Sequence, residues 1–168
     1  MYSGKQYNHQ LIEKDFYKFW KDNDLFEPEN KSEKQNFSII LPPPNVTGHL
    51  HLGHAWDGSI QDAIIRYKKL LGFNVCWFPG TDHAGISTQT KFDKICSESK
   101  WKFKNKNEYL FNLNKWVLEQ KQYIHNQWAK MGFALAYKHE RFTLDPDVNK
   151  LVIYHFFRIN NLIKFFCS

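Results

Sequence analysis

An apolar run in this chain stops abruptly at three prolines. Residues Asn36–Leu41 (NFSIIL) form a short apolar stretch rich in residues that favour strands. Pro42–Pro44 follow at once, and prolines cannot continue the hydrogen-bonded ladder of a central strand. The pattern predicts a buried strand that ends at Leu41 and delivers the next segment to one end of a sheet.

A helix, a second strand and another helix are predicted after the prolines. Residues Phe73–Phe78 (FNVCWF) predict the second strand, Pro79-Gly80 predicts a turn, and Ile86–Ser97 predicts a helix. Strand, helix and strand in this order indicate a βαβ unit with a parallel sheet. The helix between the strands is predicted to end at Gly72, after an apolar stripe at helical spacing: Ile60, Ile64, Tyr67 and Leu71.

Further helices are predicted on both sides of this unit. Apolar spacing predicts a helix over Asn8–Phe26, followed by a polar loop over Glu27–Asn36. Arg141–Asp147 predicts a loop before a last helix over Val148–Ile163. A long amphipathic helix is predicted between them, with a stripe of Tyr109, Leu113, Trp116, Val117, Gln120, Tyr123, Ile124, Gln127 and Met131. The predicted class is α/β, with an N-terminal helix and linker over residues 1–35 and the sheet region over residues 36–168.

Composition excludes some classes of protein and leaves others open. The net charge of +6 fits an anionic partner, although lysines scattered among many asparagines also fit a biased codon usage. The three cysteines are few and far apart, which indicates neither a disulfide framework nor a cysteine metal site. Because no apolar run is long enough to span a bilayer, we expect a cytoplasmic protein with no membrane partner.

The segment Asn45–Ala55 joins the first predicted strand to the first long helix and carries the candidate chemistry. Ligands of open parallel sheets bind at the carboxyl ends of strands, and a helix start suits phosphate. Gly48 and Gly53 allow a ligand to approach the backbone closely. His51 and His54 share one helix face, where imidazole donors can stabilise charge developing on a phosphate. The pattern predicts a nucleotide site without a Walker loop.

Two other interpretations of these histidines are open. Four histidines in a short span could ligate zinc, namely His49, His51, His54 and His83. Any one of them could instead be an ordinary core or surface residue. The combination of strand, proline turn, His-Leu-Gly-His and helix favours the nucleotide site over both.

Two motifs resemble the class I aminoacyl-tRNA synthetases. His51–His54 (HLGH) resembles the His-Ile-Gly-His signature of that family, and Pro42–Gly48 (PPPNVTG) resembles the lead-in of its valyl branch. Gly80–Ile86 (GTDHAGI) also resembles the valyl branch, whereas the isoleucyl branch carries a Trp-Asp-Cys-His-Gly-like stretch. Weaker similarity covers most of the rest of the chain, including Tyr7–Phe26 and Glu140–Thr143.

The resemblance implies a valine–tRNA ligase with a Rossmann-like catalytic domain. In this family ATP, as its Mg²⁺ complex, reacts with the amino acid to give an adenylate, which is then transferred to tRNA. The substrates here would be L-valine, ATP and tRNA(Val), and no protein-bound metal is expected. By resemblance His51 and His54 contact the ATP phosphates as catalytic residues. Gly48 and Gly53 belong to the same ATP site, with Gly53 leaving room for adenine and ribose.

The resemblance also implies an amino-acid site. Asp82 would pair with the α-ammonium, because an ammonium leaving water needs a charged partner; the alternative for Asp82 is a helix cap. Pro42 and Asn45 would line the pocket for the valine side chain. Such a pocket rejects isoleucine by size but discriminates threonine poorly. Among the other acidic residues, Asp62 is predicted to be solvated.

Several parts of the family pattern do not occur in these residues. The Lys-Met-Ser-Lys-Ser type loop, the editing domain and the anticodon-binding helices are missing, so residues 36–168 are expected to be an incomplete first part of the catalytic domain. A truncated gene product, a frameshift or an incomplete sequence would explain this. The alternatives are a non-catalytic remnant that binds nucleotide, tRNA or protein, and an isoleucyl- or leucyl-type fragment. We expect a monomer that is marginally stable and lacks full aminoacylation activity by itself.

Overall fold

The computed structural model describes residues 7–13 and 15–166, with side chains up to residue 160. Within these ranges the chain forms six α-helices and four short strands. In chain order they are α1 His9–Ile12, α2 Phe16–Asp22, β1 Asn36–Ile40, α3 Leu52–Leu70, β2 Asn74–Phe78, β3 Gly80–Thr81, α4 Ile86–Glu98, α5 Lys106–Met131, β4 Arg141–Phe142 and α6 Pro146–Phe166.

The predicted parallel βαβ unit is confirmed. Strands β1 and β2 pair in parallel from Asn36 opposite Asn74 to Ile40 opposite Phe78, and α3 makes the crossover between them. The predicted stop at Gly72 is also confirmed, because Gly72 has φ +87°, in the left-handed region that favours glycine. The unit therefore places the carboxyl ends of β1 and β2 side by side.

The prediction that β1 is a buried strand is wrong. Its residues alternate between exposed and half-buried, and Ile40 is 76% exposed. Among the described residues β1 has a single neighbour, β2, so one face and one edge of β1 lack cover. By contrast, the three central residues of β2 are all buried.

The predicted turn at Pro79-Gly80 and the predicted loop at Arg141 are both corrected by one pairing. The chain does not reverse at Pro79 but continues into β3, which pairs in parallel with β4. Pro79 lacks an N–H, yet its carbonyl accepts a hydrogen bond of 3.2 Å from the amide of Arg141. Strand β2, before Pro79, therefore pairs with β1, and strand β3, after it, pairs with β4.

The single helix predicted over Asn8–Phe26 is divided into α1 and α2. Helix α2 faces the core through Tyr17 and Trp20. The hydroxyl of Tyr17 donates to the carbonyl of Phe133 at 2.9 Å, and the ring of Trp20 meets Phe26 edge-on. Burial raises the pKa of Tyr17 to about 12. The apolar Phe19 that contributed to the prediction is exposed.

The core centres on Trp77 of β2 and on the segment that follows α5. Helix α5 ends at Gly132 in the left-handed conformation, and Phe133–Ala136 then run buried beneath α3 and β2. The rings of Trp77 and Phe133 lie 5.2 Å apart between centroids. Gly58 of α3 lies so close to Phe133 that an added Cβ would stand 2.5 Å from Cζ of the ring.

Helix α3 turns its apolar stripe outward, which reverses the prediction. Ile60 is 51% exposed and Tyr67 60% exposed, and the buried positions of the helix are Gly58 and Ile65. The inward face also carries polar groups because core donors need acceptors. Gln61 accepts a hydrogen bond of 2.9 Å from the Trp77 indole.

The prediction that Asp62 is solvated is wrong. Its side chain is only 16% exposed and lies on the inward face of α3. One carboxylate oxygen accepts from the amide of Ala134 at 2.8 Å, and the other accepts from Arg66 Nε at 2.7 Å. Both oxygens of this half-buried carboxylate are therefore paired, and it joins α3 to the segment after α5.

A second half-buried carboxylate joins α5 to the segment before β4. Glu140 lies 2.7 Å from His125 Nε2 and 3.2 Å from Lys121 Nζ. Burial by itself would raise the pKa of Glu140, but the hydrogen bond and charge of His125, together with Lys121, outweigh it and hold the pKa below 4.5. A depressed carboxylate pKa contributes stability above pH 4.5, and that stability is lost as the pH falls through the folded-state pKa.

Replacing Glu140 by Gln is expected to destabilise the chain by about 1–2 kcal/mol at pH 7 and by much less at pH 3. Glutamine keeps an acceptor for His125 but loses the charge that Lys121 compensates. Urea unfolding at the two pH values measures this difference. The matched control is Glu119→Gln, an exposed glutamate on α5, the helix that carries Lys121 and His125. An equal loss for Glu140→Gln at both pH values would contradict the assigned charge interaction.

Candidate functional site

The segment after β1 runs beside Asp82, which follows β3. The amide of Asp82 donates to the carbonyl of Pro44 at 2.9 Å, and the amide of Val46 donates to the carbonyl of Asp82 at 2.8 Å. Asn45 and Asp82 therefore face each other across a parallel bridge at the carboxyl ends of the strands. The structure brings these two predicted site residues together, and Pro42 lies exposed three positions before Asn45.

The two histidines of the HLGH motif hold the first turn of α3. Nδ1 of His51 accepts from the amide of Gly53 at 3.1 Å, and Nδ1 of His54 accepts from the amide of His51 at 3.2 Å. Their ring centroids are 3.9 Å apart. The prediction that both imidazoles share one face at a helix start is confirmed, and their contact with ATP stays a prediction.

These hydrogen bonds also fix which ring nitrogen carries the proton. A neutral imidazole that accepts at Nδ1 has its hydrogen on Nε2, so His51 and His54 each present an Nε2–H donor. Partial burial and the neighbouring His51 lower the pKa of His54, against a smaller opposite effect of Asp57. His54 is therefore mostly neutral at pH 7, and no hydrogen bond within the described residues uses its Nε2–H, which could donate to an anionic oxygen.

The glycines of the motif make room for side chains of the chain itself. A Cβ on Gly53 would lie 2.9 Å from Cε1 of His51, so the absence of a side chain allows His51 to fold back over the helix start. A Cβ on Gly48 would lie 3.1 Å from Nζ of Lys91, which donates to the carbonyl of Thr47. Lys91 thus brings a positive charge from α4 to the predicted nucleotide loop.

Helix α5 holds the loop that leads to His51. Gln127 accepts from the amide of Leu50 at 2.8 Å, and its Nε2 lies 3.5 Å from the carbonyl of Leu50. The ring of Tyr123 meets His49 edge-on at 5.6 Å between centroids. The sequence predicted Gln127 and Tyr123 on the stripe of the helix but not their contacts with the loop before His51. Their polar groups within an apolar stripe were the signal for these contacts.

Asp82 is oriented by a residue that sequence reasoning did not assign to the site. Thr143, directly after β4, donates its hydroxyl hydrogen to Oδ1 of Asp82 at 2.9 Å. Oδ1 also lies 3.4 Å from Nδ1 of His83. The alternative that Asp82 caps a helix is not supported, because the N-cap residue of α4 is Gly85 and no side chain caps this helix. The similarity of Glu140–Thr143 to the family was the signal that pointed to this segment.

An apolar groove of about 350 Å³ lies at the same end of the strands. Thr143 lines it, so the groove adjoins Asp82 through that residue. Pro42 and Asn45 are not among the lining residues, and the valine pocket assigned to them stays a prediction. The groove is lined mainly by Ile40, Leu41, Pro43, Phe78, Pro79, Phe142 and Val148.

The zinc alternative finds no ligand set in the described part of the chain. No three His, Cys, Asp or Glu side chains lie together there in a way that could hold a metal ion. His49 packs against Tyr123, while Nδ1 of His51 and Nδ1 of His54 each accept a hydrogen bond from a backbone amide.

Across the described residues, every helix is too short or too polar to cross a membrane.

Sequence comparison places this arrangement among known proteins. A family profile described as tRNA synthetases class I (I, L, M and V) matches residues 15–163. The chain is 50% identical over 149 residues to the valine–tRNA ligase of Mycoplasma mycoides subsp. mycoides, and 44% identical over 149 residues to that of Bacillus subtilis. Each match covers 88% of this chain and 17% of the relative, so the chain spans about a sixth of their length.

A solved structure has the same fold. The chain superposes on a LeuRS from a LeuRS–tRNA–LeuAMS ternary complex of Agrobacterium radiobacter K84 with a TM-score of 0.75. The match covers 92% of this chain and 19% of the other, at 19% sequence identity. The expected fold, a part of a class I synthetase Rossmann-like domain, is confirmed by this superposition.

Proposed function

The chain belongs to the class I tRNA synthetases, and from this membership we propose that it is the part of a valine–tRNA ligase that binds ATP and valine. The observation that carries the proposal is the paired histidine arrangement at the start of α3. Because each ring accepts at Nδ1, each keeps an Nε2–H donor at the helix start, where the positive end of the helix dipole favours a phosphate. Identity of 44–50% to valine–tRNA ligases supports valine over isoleucine or leucine as the substrate.

In the proposed reaction the valine carboxylate attacks the α-phosphate of ATP and pyrophosphate leaves. Charge builds up on the phosphate oxygens in the transition state, and the Nε2–H groups of His51 and His54 would donate to them. Class I synthetases use ATP with Mg²⁺, so the metal would arrive with the substrate. Asp82 would hold the valine ammonium beside Asn45, and tRNA(Val) would accept the activated valine in the complete enzyme.

The proposal is tested by titrating the purified chain with ATP and with sulfamoyl analogues of valyl-, isoleucyl- and threonyl-adenylate. We expect the valyl analogue to bind more tightly than the isoleucyl one and with little advantage over the threonyl one. His51→Ala and His54→Ala are each expected to weaken ATP binding roughly tenfold or more, because each removes a hydrogen bond to a charged group. Calorimetry measures both effects.

The matched control is His155→Ala, since His155 is an exposed histidine on α6. If it weakens ATP binding as much as the motif variants do, the assignment of His51 and His54 is wrong. Equal affinity for the three analogues would favour the alternative of a non-catalytic nucleotide-binding remnant. Valine-dependent ATP–pyrophosphate exchange by the chain alone would overturn the expectation that it is incomplete.

A further inference from the structure

We propose that Thr143 is a positioning residue that presents the carboxylate of Asp82 to the amine of the substrate. The inference deepens the proposed function and rests on it, because it concerns how the amino-acid site selects an α-ammonium group. It is carried by one hydroxyl that contacts both Asp82 and His83, from a segment about sixty residues further along the chain.

The hydrogen bonds of the Thr143 hydroxyl are fully determined by its contacts. A hydroxyl has one hydrogen to donate and two lone pairs to accept with. The hydrogen goes to Oδ1 of Asp82 at 2.9 Å. One lone pair accepts from the backbone amide of His83 at 2.9 Å, and the other faces Nδ1 of His83 at 2.6 Å. Because the hydrogen is already used, His83 must carry its proton on Nδ1 and donate.

The backbone holds Thr143 in place at this position. Its amide donates to the carbonyl of Thr81 at 3.2 Å, which continues the parallel pairing of β3 with β4. On the other side, Thr88 of α4 donates to the carbonyl of His83 at 2.5 Å. The hydroxyl is thus fixed relative to both Asp82 and His83 before any ligand binds.

This arrangement divides the two oxygens of the Asp82 carboxylate. Oδ1 is engaged by Thr143 and lies near His83, whereas among the described residues no hydrogen bond reaches Oδ2. The side chain is about one-third exposed, so Oδ2 can be reached from outside. A carboxylate held in one orientation loses less conformational freedom when it binds an ammonium, and it therefore binds more tightly.

The test compares L-valine with 2-hydroxyisovalerate, which replaces the amine by a hydroxyl. We expect the unchanged chain to prefer valine, and Thr143→Val to reduce that preference roughly tenfold or more by removing a hydrogen bond to a charged group. Thr143→Ser keeps the hydroxyl and is expected to restore the preference. ATP affinity is expected to stay the same in all three proteins.

The control substitution is Thr90→Val, which removes a threonine hydroxyl of α4 that donates to the carbonyl of Ile86 in its own helix. A general loss of folding would lower ATP binding together with valine binding, and a positioning role would not. Valine preference in Thr143→Val equal to that of the unchanged chain would overturn the inference while leaving the proposed function intact.

A second measurement does not depend on any ligand. Nitrogen-15 spectra recorded with the His83 imidazole in its neutral form are expected to show the Nδ1–H tautomer. The Nε2–H tautomer would overturn the proposed network. If the unchanged chain shows the expected tautomer but binds neither valine nor ATP, the proposed function fails for this chain, and with it the substrate-positioning role of Thr143.

Discussion

Replacing Gly58 by alanine is expected to lower the free energy of unfolding by about 1–3 kcal/mol. At an exposed helix position the same change would raise stability by roughly 1 kcal/mol, because alanine favours the helix. Here the added Cβ would stand 2.5 Å from Cζ of Phe133, whose ring is buried against Trp77 and cannot move away freely. Equilibrium urea unfolding of the chain and the variant gives the difference.

A double substitution separates this clash from other causes. Phe133→Leu removes the ring atoms that the Cβ would meet, so Gly58→Ala should cost much less in the Phe133→Leu background. Ser59→Ala, on the exposed neighbour of Gly58, serves as the control for a new alanine in α3. Additive costs of the two substitutions would show that Gly58 and Phe133 are not packed as described.

Replacing Asp82 by asparagine is expected to weaken binding of the valyl-adenylate analogue about 100-fold while ATP binding stays unchanged. Removing one partner of a hydrogen-bonded charge pair typically costs 2–5 kcal/mol, and asparagine keeps the size of the side chain and an acceptor for Thr143. Calorimetric titration with the valyl-adenylate analogue and with ATP measures the two changes in affinity. Asp22→Asn, an exposed aspartate at the end of α2, is the matched control.

Two outcomes would contradict this assignment of Asp82. A parallel loss of ATP affinity would mean that Asp82 supports the fold of the loop rather than the ammonium site. An unchanged affinity for the analogue would mean that another group binds the amine. By contrast, 2-hydroxyisovalerate, which lacks the amine, should bind the Asp82→Asn variant and the unchanged chain with similar affinity.

The order of β1, α3 and β2 was predictable because it depends on local chemistry. Prolines follow the end of β1, and Gly72, which has a positive φ, follows the end of α3. The residues of β1 and β2 also favour strands. The HLGH geometry follows for the same reason, since its hydrogen bonds join residues only two or three positions apart.

The orientation of α3 was not predictable because it depends on what the helix packs against. Its apolar stripe reads as the core face, yet the core side carries Asp62 and Gln61, which accept hydrogen bonds from Ala134 and Trp77. These two donors belong to other segments of the chain, so the sequence of α3 by itself does not indicate them. The same holds for Gly58, whose small size matters only against the ring of Phe133.

The long separation between Asp82 and Thr143 has a consequence for how the site is assembled on the ribosome. The cap of His51 and His54 closes over three residues, so it can form as soon as α3 has left the exit tunnel. The orientation of Asp82 depends on a hydroxyl 61 positions later, and closing that loop costs more entropy. In a growing chain the turn held by His51 and His54 can therefore form before Asp82 is oriented, and a nascent chain that ends before residue 143 lacks the hydroxyl that orients Asp82.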